Sequence, residues 1–467
     1  MKIRPFSGPS LGVGDTIGTA SATKDSRPVN DQQSSGGLAR TIGPFGLGAS
    51  VINLIIGSSI FVFPATIAAT LGGPGILAYV VAAALMGLIA LCFAESGSRV
   101  TGTGGMYAYV ETAFGPFTAW LVGLLTYLGV QLVATAVVGT VFIRSLSVLV
   151  PVVGEGMPRA LILVLTFGIF AWINIRGGAR GGVRVVELVT FAKLAPLILL
   201  GIIGLVAFRP EFVRWDVIPP AADIGRMAMR LLYLFAGLES ALAVSGELRD
   251  PARTVPRGIL GGLVAATIIY LGVQFAAQGL LGPELPTHTQ APLADAAAVV
   301  FGDGGRTFIL LAAVISTIGF LSAAMLIAPR TLYAMALAGR IPRAIAAVHP
   351  RFGSPAVAIM VHAALSCVLA IVADFDTLTA LSSSALLLIY FVCCAATLVL
   401  QRRRIGEDGA PFRLIGGPVI PLAAMGLVVV LATTLERREV GAVGVTVLLA
   451  AVTYFASRKA QGAPDHL

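Results

Sequence analysis

Apolar stretches of about 20 residues alternate with short polar breaks between residue 42 and residue 457. A helix that crosses the hydrocarbon core of a bilayer needs about 20 apolar residues, so each stretch predicts a transmembrane span. We number these spans 1 to 12: roughly 43–70, 75–95, 116–149, 158–175, 184–208, 224–246, 257–282, 303–337, 355–373, 377–400, 415–434 and 438–457. The pattern predicts an all-α polytopic membrane protein of about twelve transmembrane helices.

Spans 1 and 6 each carry a helix-weakening segment near the middle. Span 1 contains the segment 57–61, with the sequence GSSIF, and Pro64 follows it. Span 6 contains the segment 235–240, with the sequence FAGLES. Glycine and proline disfavour a continuous helix. Five spans separate the two segments, so the two broken helices cross the bilayer in opposite directions. This relation is typical of inverted repeats, in which spans 1–5 correspond to spans 6–10.

Broken helices expose backbone groups that can bind charge. A half-helix that begins at the midplane presents free N–H groups to an anion, and one that ends there presents free carbonyls to a cation. Unwound backbone is tolerated within a membrane only where it is buried or lines a polar cavity. Two adjacent breaks could therefore hold a zwitterion, such as an α-amino acid, without a charged side chain. Close helix packing is the alternative role of Gly57 and Gly237.

The chain divides into four predicted regions. Residues 1–41 are polar and lack an apolar leader, which predicts a disordered cytoplasmic tail. Residues 42–400 form the predicted transporter core of two repeats, residues 401–457 supply spans 11 and 12, and residues 458–467 form a second cytoplasmic tail.

Composition and charge agree with a membrane environment. The chain is 57% hydrophobic and 12% charged, with a mean hydropathy of +0.91. Soluble domains are about half apolar and a quarter charged. Most of the 32 Lys and Arg residues fall in the tails and in the loops on the same side, which predicts cytoplasmic N- and C-termini in a cell (inner) membrane protein. The net charge of +9 is therefore an orientation signal, and no aromatic-interleaved basic patch indicates nucleic acid.

Several chemistries have no sequence signature here. The four cysteines all lie inside apolar runs, which favours buried packing: Cys92, Cys367, Cys393 and Cys394. The four histidines are scattered, so we expect no metal site and no cofactor. A membrane enzyme would need clustered catalytic groups, a channel would need rings of charge or carbonyls, and a major facilitator would have parallel halves. None of these patterns is present in the sequence.

Four motifs in order resemble the amino acid–polyamine–organocation (APC) superfamily, whose members share the leucine-transporter (LeuT) fold. The first is GSSIF at 57–61, where Ser59 replaces the usual second glycine. The others are GGMYAY at 104–109 followed by Phe114 and Gly115, FAGLE at 235–239, and ELRDPAR at 247–253 with Pro256 after it. The resemblance covers roughly 42–400. It implies a LeuT-like fold of 5+5 inverted repeats with two extra helices, and an amino acid as the substrate.

The resemblance also implies a binding site made largely of backbone groups. The substrate carboxylate would lie on N–H groups of the segment after Gly57, namely Ser58, Ser59 and Ile60. The substrate ammonium would meet carbonyl groups near Ile55, Phe235 and Ala236, beside Gly237. Tyr233 falls where relatives carry an aromatic gate, and Phe320 is a weaker second gate candidate. Ordinary aromatic packing is the alternative for both rings.

Two ionisable residues lie inside the predicted spans. Lys193 is near the middle of span 5, where a charge costs at least about 2.5 kcal/mol, so it is a functional candidate. By resemblance it takes the place of a coupling ion, either as a proton carrier or as a brace between helices in an exchanger; snorkelling to an interface is a third alternative. Glu239 follows the break in span 6. It is either a gating or proton-sensitive group or a cap for unwound N–H groups.

These features predict a secondary active transporter that moves an amino acid with a proton by alternating access. An exchanger remains an alternative. A polyamine or organic cation permease is disfavoured, because Glu239 is the single obvious acidic group near the breaks. The partners expected are the amino acid, protons and the lipid bilayer. Which amino acid is carried, and the oligomeric state, stay open.

Overall fold

A computed structural model describes residues 43–100, 105–177, 182–213, 215, 217–239, 248–407 and 411–460, without the side chains of 177, 182–193 and 458–460. The predicted tail 1–41 and residues 461–467 lie outside the described residues. The helices are α1 (Pro44–Ile55), α2 (Phe63–Leu71), α3 (Ile76–Arg99), α4 (Met106–Phe114), α5 (Pro116–Leu125), α6 (Val133–Leu149), α7 (Gly156–Gly177), α8 (Gly182–Val206), α9 (Ala221–Phe235), α10 (Pro251–Leu281), α11 (Pro292–Leu337), α12 (Ala356–Val372), α13 (Phe375–Arg402), α14 (Val419–Ala432) and α15 (Arg437–Ala460).

Each of the twelve predicted spans contains at least one helix. Span 1 is α1 and α2, span 3 is α5 and α6 joined by a π-helix over Thr126–Leu132, and α4 lies between spans 2 and 3. Every other span corresponds to one helix, in chain order. Seven helical segments of the described chain are long and apolar enough to cross a membrane, and shorter apolar helices accompany them. The protein is an all-α polytopic membrane protein, as predicted.

Span 1 breaks at the predicted position. Helix α1 ends at Ile55, and Gly57 adopts an extended conformation with φ −90° and ψ −166°. A short 3₁₀ helix over Ser58–Phe61 follows, and α2 then begins with Pro64 in its first turn. Proline is favoured there because the first helical N–H groups have no intrahelical acceptor. The sequence thus restarts the helix one turn beyond the break.

Span 6 breaks directly after α9. Ala236 leaves the helical conformation, with ψ 140°, and Gly237 has φ +110°, which side chains rarely adopt. Residues 240–247 lie outside the described residues. The described part of span 6 therefore comprises its first half-helix and the start of the break.

The helix contacts have the symmetry of an inverted repeat. Span 1 packs on span 7, and span 6 packs on span 2. Span 5 packs on spans 7 and 8, and span 10 packs on spans 2 and 3. When each span is replaced by the span five places away, the contact of spans 1 and 7 becomes that of spans 6 and 2. The contacts of span 5 with spans 7 and 8 likewise become those of span 10 with spans 2 and 3. Because five is odd, the two copies cross the bilayer in opposite directions, which is the predicted 5+5 inverted repeat.

The interior and the lipid-facing elements are separated by burial. The most apolar window of α13 is 67% buried, whereas the corresponding windows of α7 and α15 are 17% buried. Helix α13 is therefore central, and α7 and α15 present apolar side chains outward. Helix α11 is kinked at Gly302, with φ 61°, so that a short leading helix precedes span 8.

Candidate functional site

The breaks in spans 1 and 6 border a cavity of about 170 Å³. Spans 3, 7 and 8 complete its described wall. The sequence-predicted residues that line it are Ile55, Gly57, Ser58, Ser59, Ile60, Tyr233, Ala236, Gly237, Glu239 and Phe320. Phe235 does not line it: its buried ring packs edge-on against Tyr270, with ring centroids 5.5 Å apart.

The break in span 6 touches the end of helix α1 at Gly237. A β-carbon built on Gly237 would lie 2.9 Å from the carbonyl oxygen of Leu54 in α1, closer than real β-carbons approach other atoms. Glycine is therefore required at this point both for its φ of +110° and for the close backbone approach.

Tyr270, in span 7, joins the ends of both half-helices. Its hydroxyl oxygen lies 2.8 Å from the carbonyl oxygen of Ile55 and 2.8 Å from that of Leu234. The single O–H is shared between the two acceptors. The carbonyl oxygen of Ile55 also accepts a hydrogen bond from the N–H of Gly57 at 2.8 Å, so both of its lone pairs are already used. Sequence reasoning missed Tyr270.

A spacing signal could have identified this residue. Tyr270, Gln274 and Gln278 recur at four-residue intervals in an otherwise apolar span, so they share one helix face. The Tyr79 hydroxyl donates to Gln274 at 3.2 Å, and Gln278 donates to the carbonyl of Gly72 at 2.9 Å. This polar face connects span 7 to spans 1 and 2.

The start of the 3₁₀ helix is suited to an anion. The first N–H groups of a helix lack intrahelical acceptors and carry the positive end of its dipole. Ser58 is fully buried and Ser59 is 5% exposed. The hydroxyl of Ser58 has no hydrogen-bond partner among the described residues. Leaving a buried polar atom unpaired costs free energy, so this surface favours a ligand that supplies an acceptor.

The Glu239 side chain forms hydrogen bonds at the break in span 6. One carboxylate oxygen accepts a hydrogen bond from the N–H of Gly237 at 2.9 Å, and the other accepts one from the hydroxyl of Tyr390 at 3.1 Å. The residue is 3% exposed. This geometry pairs the carboxylate with one unwound N–H and links span 6 to span 10. The capping and the gating or proton-sensing roles of Glu239 both stay predictions.

The other predicted residues differ in how far the structure describes them. Tyr233 is 7% exposed and its hydroxyl lies beside Ser59, whereas Phe320 is half-buried in the wall from span 8. Lys193 is in helix α8, but its side chain lies outside the described residues. Its role stays a prediction. All four cysteines are buried, as predicted.

Gln131 is a second lining residue that sequence reasoning missed. It lies on the π-helix of span 3, and its side-chain oxygen is buried without a hydrogen-bond partner in the described part of the chain. π-Helical turns inside α-helices occur frequently at functional sites. The available signal was a lone amide side chain within an apolar run.

A larger cavity of about 800 Å³ lies at the far end of span 3 from α4. Its charged lining residues are Arg144, Glu155, Arg159, Arg306 and Asp374. The guanidinium of Arg144 stacks over Phe375 at 5.2 Å. The N–H of Thr377, 2.7 Å from Oδ1, lowers the pKa of the Asp374 carboxyl, which is therefore ionised at neutral pH. This cavity brings three arginines and two acidic residues together at one end of the molecule.

On the opposite side, Glu95 forms a brace between distant segments. It is 1% exposed, pairs with Arg99 at 2.7 Å, and accepts a hydrogen bond from Gln401 of span 10 at 2.7 Å. The N–H of Leu414, ahead of span 11, also donates to it at 3.3 Å. Span 2 is thus fixed to span 10 and to the chain before span 11.

Two spans broken at facing positions, within an inverted repeat and around a cavity, define the class of secondary transporters. Residues 42–457 match the family model described as amino acid permease, and the chain belongs to this family. The match confirms the resemblance drawn from the four motifs and extends it through span 12.

The curated relatives have transporter names. The chain is 28% identical to the serine/threonine exchanger SteT of Bacillus subtilis, over 85% of this chain and 92% of the relative. It is 26% identical to the methylthioribose transporter of Bacillus subtilis, over 85% of this chain and 89% of the relative. It is also 26% identical to the branched-chain amino acid permease BcaP of Lactococcus lactis subsp. cremoris, over 81% of this chain and 85% of the relative.

Proposed function

We propose that this protein is a secondary active transporter that moves a small amino acid across the cell (inner) membrane by alternating access, in symport with protons. The observation that carries the proposal is the close approach of the break in span 6 to the end of α1, beside a cavity that both breaks line with backbone N–H and carbonyl groups. Two of the relatives named above carry or exchange amino acids according to their names.

The zwitterion fits the described surface in one orientation. The carboxylate lies on the N–H groups of Ser58, Ser59 and Ile60, where the hydroxyl of Ser58 adds a further donor. The ammonium lies against the carbonyl ends of the two half-helices at Ile55, Phe235 and Ala236. The cavity of about 170 Å³ is below the 300–1,000 Å³ of pockets for drug-sized ligands, which favours a small amino acid.

Tyr233 and Phe320 serve as gates over the bound solute in this proposal. Both line the cavity, and Tyr233 lies beside Ser59 at the carboxylate end. A ring at this place can exclude water while the solute is bound. Rocking of spans 1, 2, 6 and 7 against the other spans then exposes the cavity to each side in turn, with both termini in the cytoplasm.

Proton coupling rests on Lys193, with Glu239 as the group that senses or secures the break. A buried lysine loses its proton more easily than an exposed one, so it can release and regain a proton during transport. Exchange is the second candidate, because the serine/threonine exchanger is a relative along most of both chains. In that case Lys193 remains charged and braces spans 1, 5 and 8.

The test is uptake into proteoliposomes with and without an inward proton gradient, and with and without internal amino acid. The proposal expects accumulation in empty vesicles only under the proton gradient, and its abolition by Lys193→Ala. Glu239→Gln keeps an acceptor for the N–H of Gly237, so it preserves the fold while it removes a titrating group. Uptake that requires internal amino acid and ignores the proton gradient would overturn symport in favour of exchange.

A further inference from the structure

We infer that Gln131 recognises the side chain of the transported amino acid and that this side chain carries a hydroxyl group, as in serine or threonine. The inference rests on the proposed function and adds the substrate class to it. The residues that carry the inference lie in the part of the cavity wall away from the two breaks.

That wall is apolar except at a few points. Span 3 contributes Val130, Ala134 and Val138, and span 8 contributes alanines and Ile327. Gln131 places an amide among these groups, and its oxygen is buried without a partner in the described residues. A buried acceptor left unpaired is costly, whereas an aliphatic residue at this position would cost nothing. The amide is therefore best explained by a solute that bonds to it.

Hydrogen bonds to His362 of span 9 hold the backbone of span 3 around Gln131. The hydroxyl of Thr135 donates to the carbonyl of Gln131 at 2.8 Å, so it accepts from the Nε2–H of His362 at 3.3 Å. The Nδ1 of His362 is then the acceptor of the hydroxyl of Tyr127 at 3.3 Å. His362 is fully buried, and its two ring nitrogens link span 9 to span 3.

The π-helix carries two of the residues in this set of contacts. Tyr127 and Gln131 both lie in Thr126–Leu132, and Thr135 follows in α6. The His362 bonds reach Tyr127 and, through Thr135, the backbone carbonyl of Gln131, so they tie the backbone that carries the amide to span 9. A site built to hydrogen-bond a solute discriminates strongly against a solute that lacks the hydrogen-bonding group.

A hydroxyl is the group that fits best. It can donate to the side-chain oxygen of Gln131 and can also accept from its nitrogen, so it satisfies either face of the amide. The small cavity leaves room for a short side chain, and the carboxylate and ammonium are already assigned to the breaks. Serine and threonine meet these conditions, whereas alanine and valine leave the amide unpaired.

The test compares isosteric pairs. Purified protein in proteoliposomes takes up labelled threonine in competition with unlabelled threonine or valine, and with unlabelled serine or alanine. We expect the wild type to prefer threonine to valine by about tenfold or more, as expected for a buried unpaired acceptor. Gln131→Met, which keeps the length of the side chain, should reduce this ratio to about one or reverse it.

Gln278→Met is the matched control. Gln278 is also a buried glutamine whose side-chain oxygen lacks a partner among the described residues, but it does not line the cavity. Its substitution should leave the threonine-to-valine ratio unchanged.

Equal competition by valine and threonine in the wild type would overturn the inference, and this result needs no variant. An unchanged ratio in a folded Gln131→Met protein would overturn it as well. Either result leaves amino acid transport itself intact, whereas the absence of competition by every amino acid would defeat the proposed function instead.

Discussion

Gly57 and Gly237 occupy equivalent places in the two repeats but have different physical roles. Gly57 has an extended backbone that any residue can adopt, and a β-carbon there would meet nothing within 4 Å. Gly237 has φ +110°, and a β-carbon there would collide with the backbone of Leu54. A side chain at Gly57 therefore takes up solute space, whereas one at Gly237 separates the two breaks.

This difference predicts opposite results for two valine variants. Gly57→Val should remove solute binding while thermal unfolding stays within a degree or two of the wild type. Gly237→Val should lower the free energy of unfolding by at least about 1–3 kcal/mol, because backbone strain and overpacking add together. Thermal unfolding of the purified proteins and binding of labelled amino acid distinguish them. A destabilised Gly57→Val or a stable, active Gly237→Val would contradict this assignment.

At the residue scale the sequence predicts which segments line the cavity better than it predicts the physical role of each residue. Four residues of GSSIF and three of FAGLE line the cavity, and these segments could be identified because glycine and serine inside an apolar run weaken the helix and place polar groups at mid-span. The sequence could not separate Gly57 from Gly237, since the collision of Gly237 with Leu54 depends on how two distant helices approach. The same limit hid Gln131, whose unpaired oxygen is a property of its surroundings.

At the scale of elements, span 7 connects the two broken spans. Helix α10 packs along α1, and its Tyr270 reaches the carbonyls of Ile55 and Leu234. These carbonyls end α1 and lie near the end of α9, where no further helical N–H is available. The hydroxyl therefore donates to the ends of both half-helices, and the N–H of Gly57 is a second donor to Ile55.

Tyr270→Phe should leave both carbonyls without this donor while the ring keeps its packing against Phe235. We expect the free energy of unfolding to fall by about 1–3 kcal/mol and the affinity for the solute to fall as well. Tyr79→Phe is the control, because the hydroxyl of Tyr79 contacts Gln274 and neither break. Equal effects of the two variants on solute affinity would show that Tyr270 is an ordinary packing residue.

The elements themselves were predictable where length and apolar content determine them. All twelve spans contain helix, and the break in span 1 lies at the predicted glycine. The π-helix of span 3 was not predicted, because one extra residue per turn leaves no mark on residue type or period. Helix α4 was also missed as an element, since it is short and lies between spans.

At the scale of the whole molecule, the inverted repeat could be predicted from the number of spans that separate the two breaks. Two breaks five spans apart must face opposite directions, and the exchange symmetry of the helix contacts agrees with that count. The cavity of about 800 Å³ at the far end of span 3 was not predicted. Its charged residues come from spans 3, 4, 8 and 10 and their loops, so no local pattern links them.

The central claim is that two facing breaks bind a zwitterion through backbone groups of both signs. It is tested most directly by competition binding to the purified protein. The competitors are an amino acid that binds, its carboxamide, which lacks the negative charge, and its N-acetyl derivative, which lacks the positive charge. The account predicts that the parent amino acid competes and that each derivative loses at least about tenfold in affinity, because each leaves one break without its charged partner. Derivatives that compete as well as the parent would contradict it.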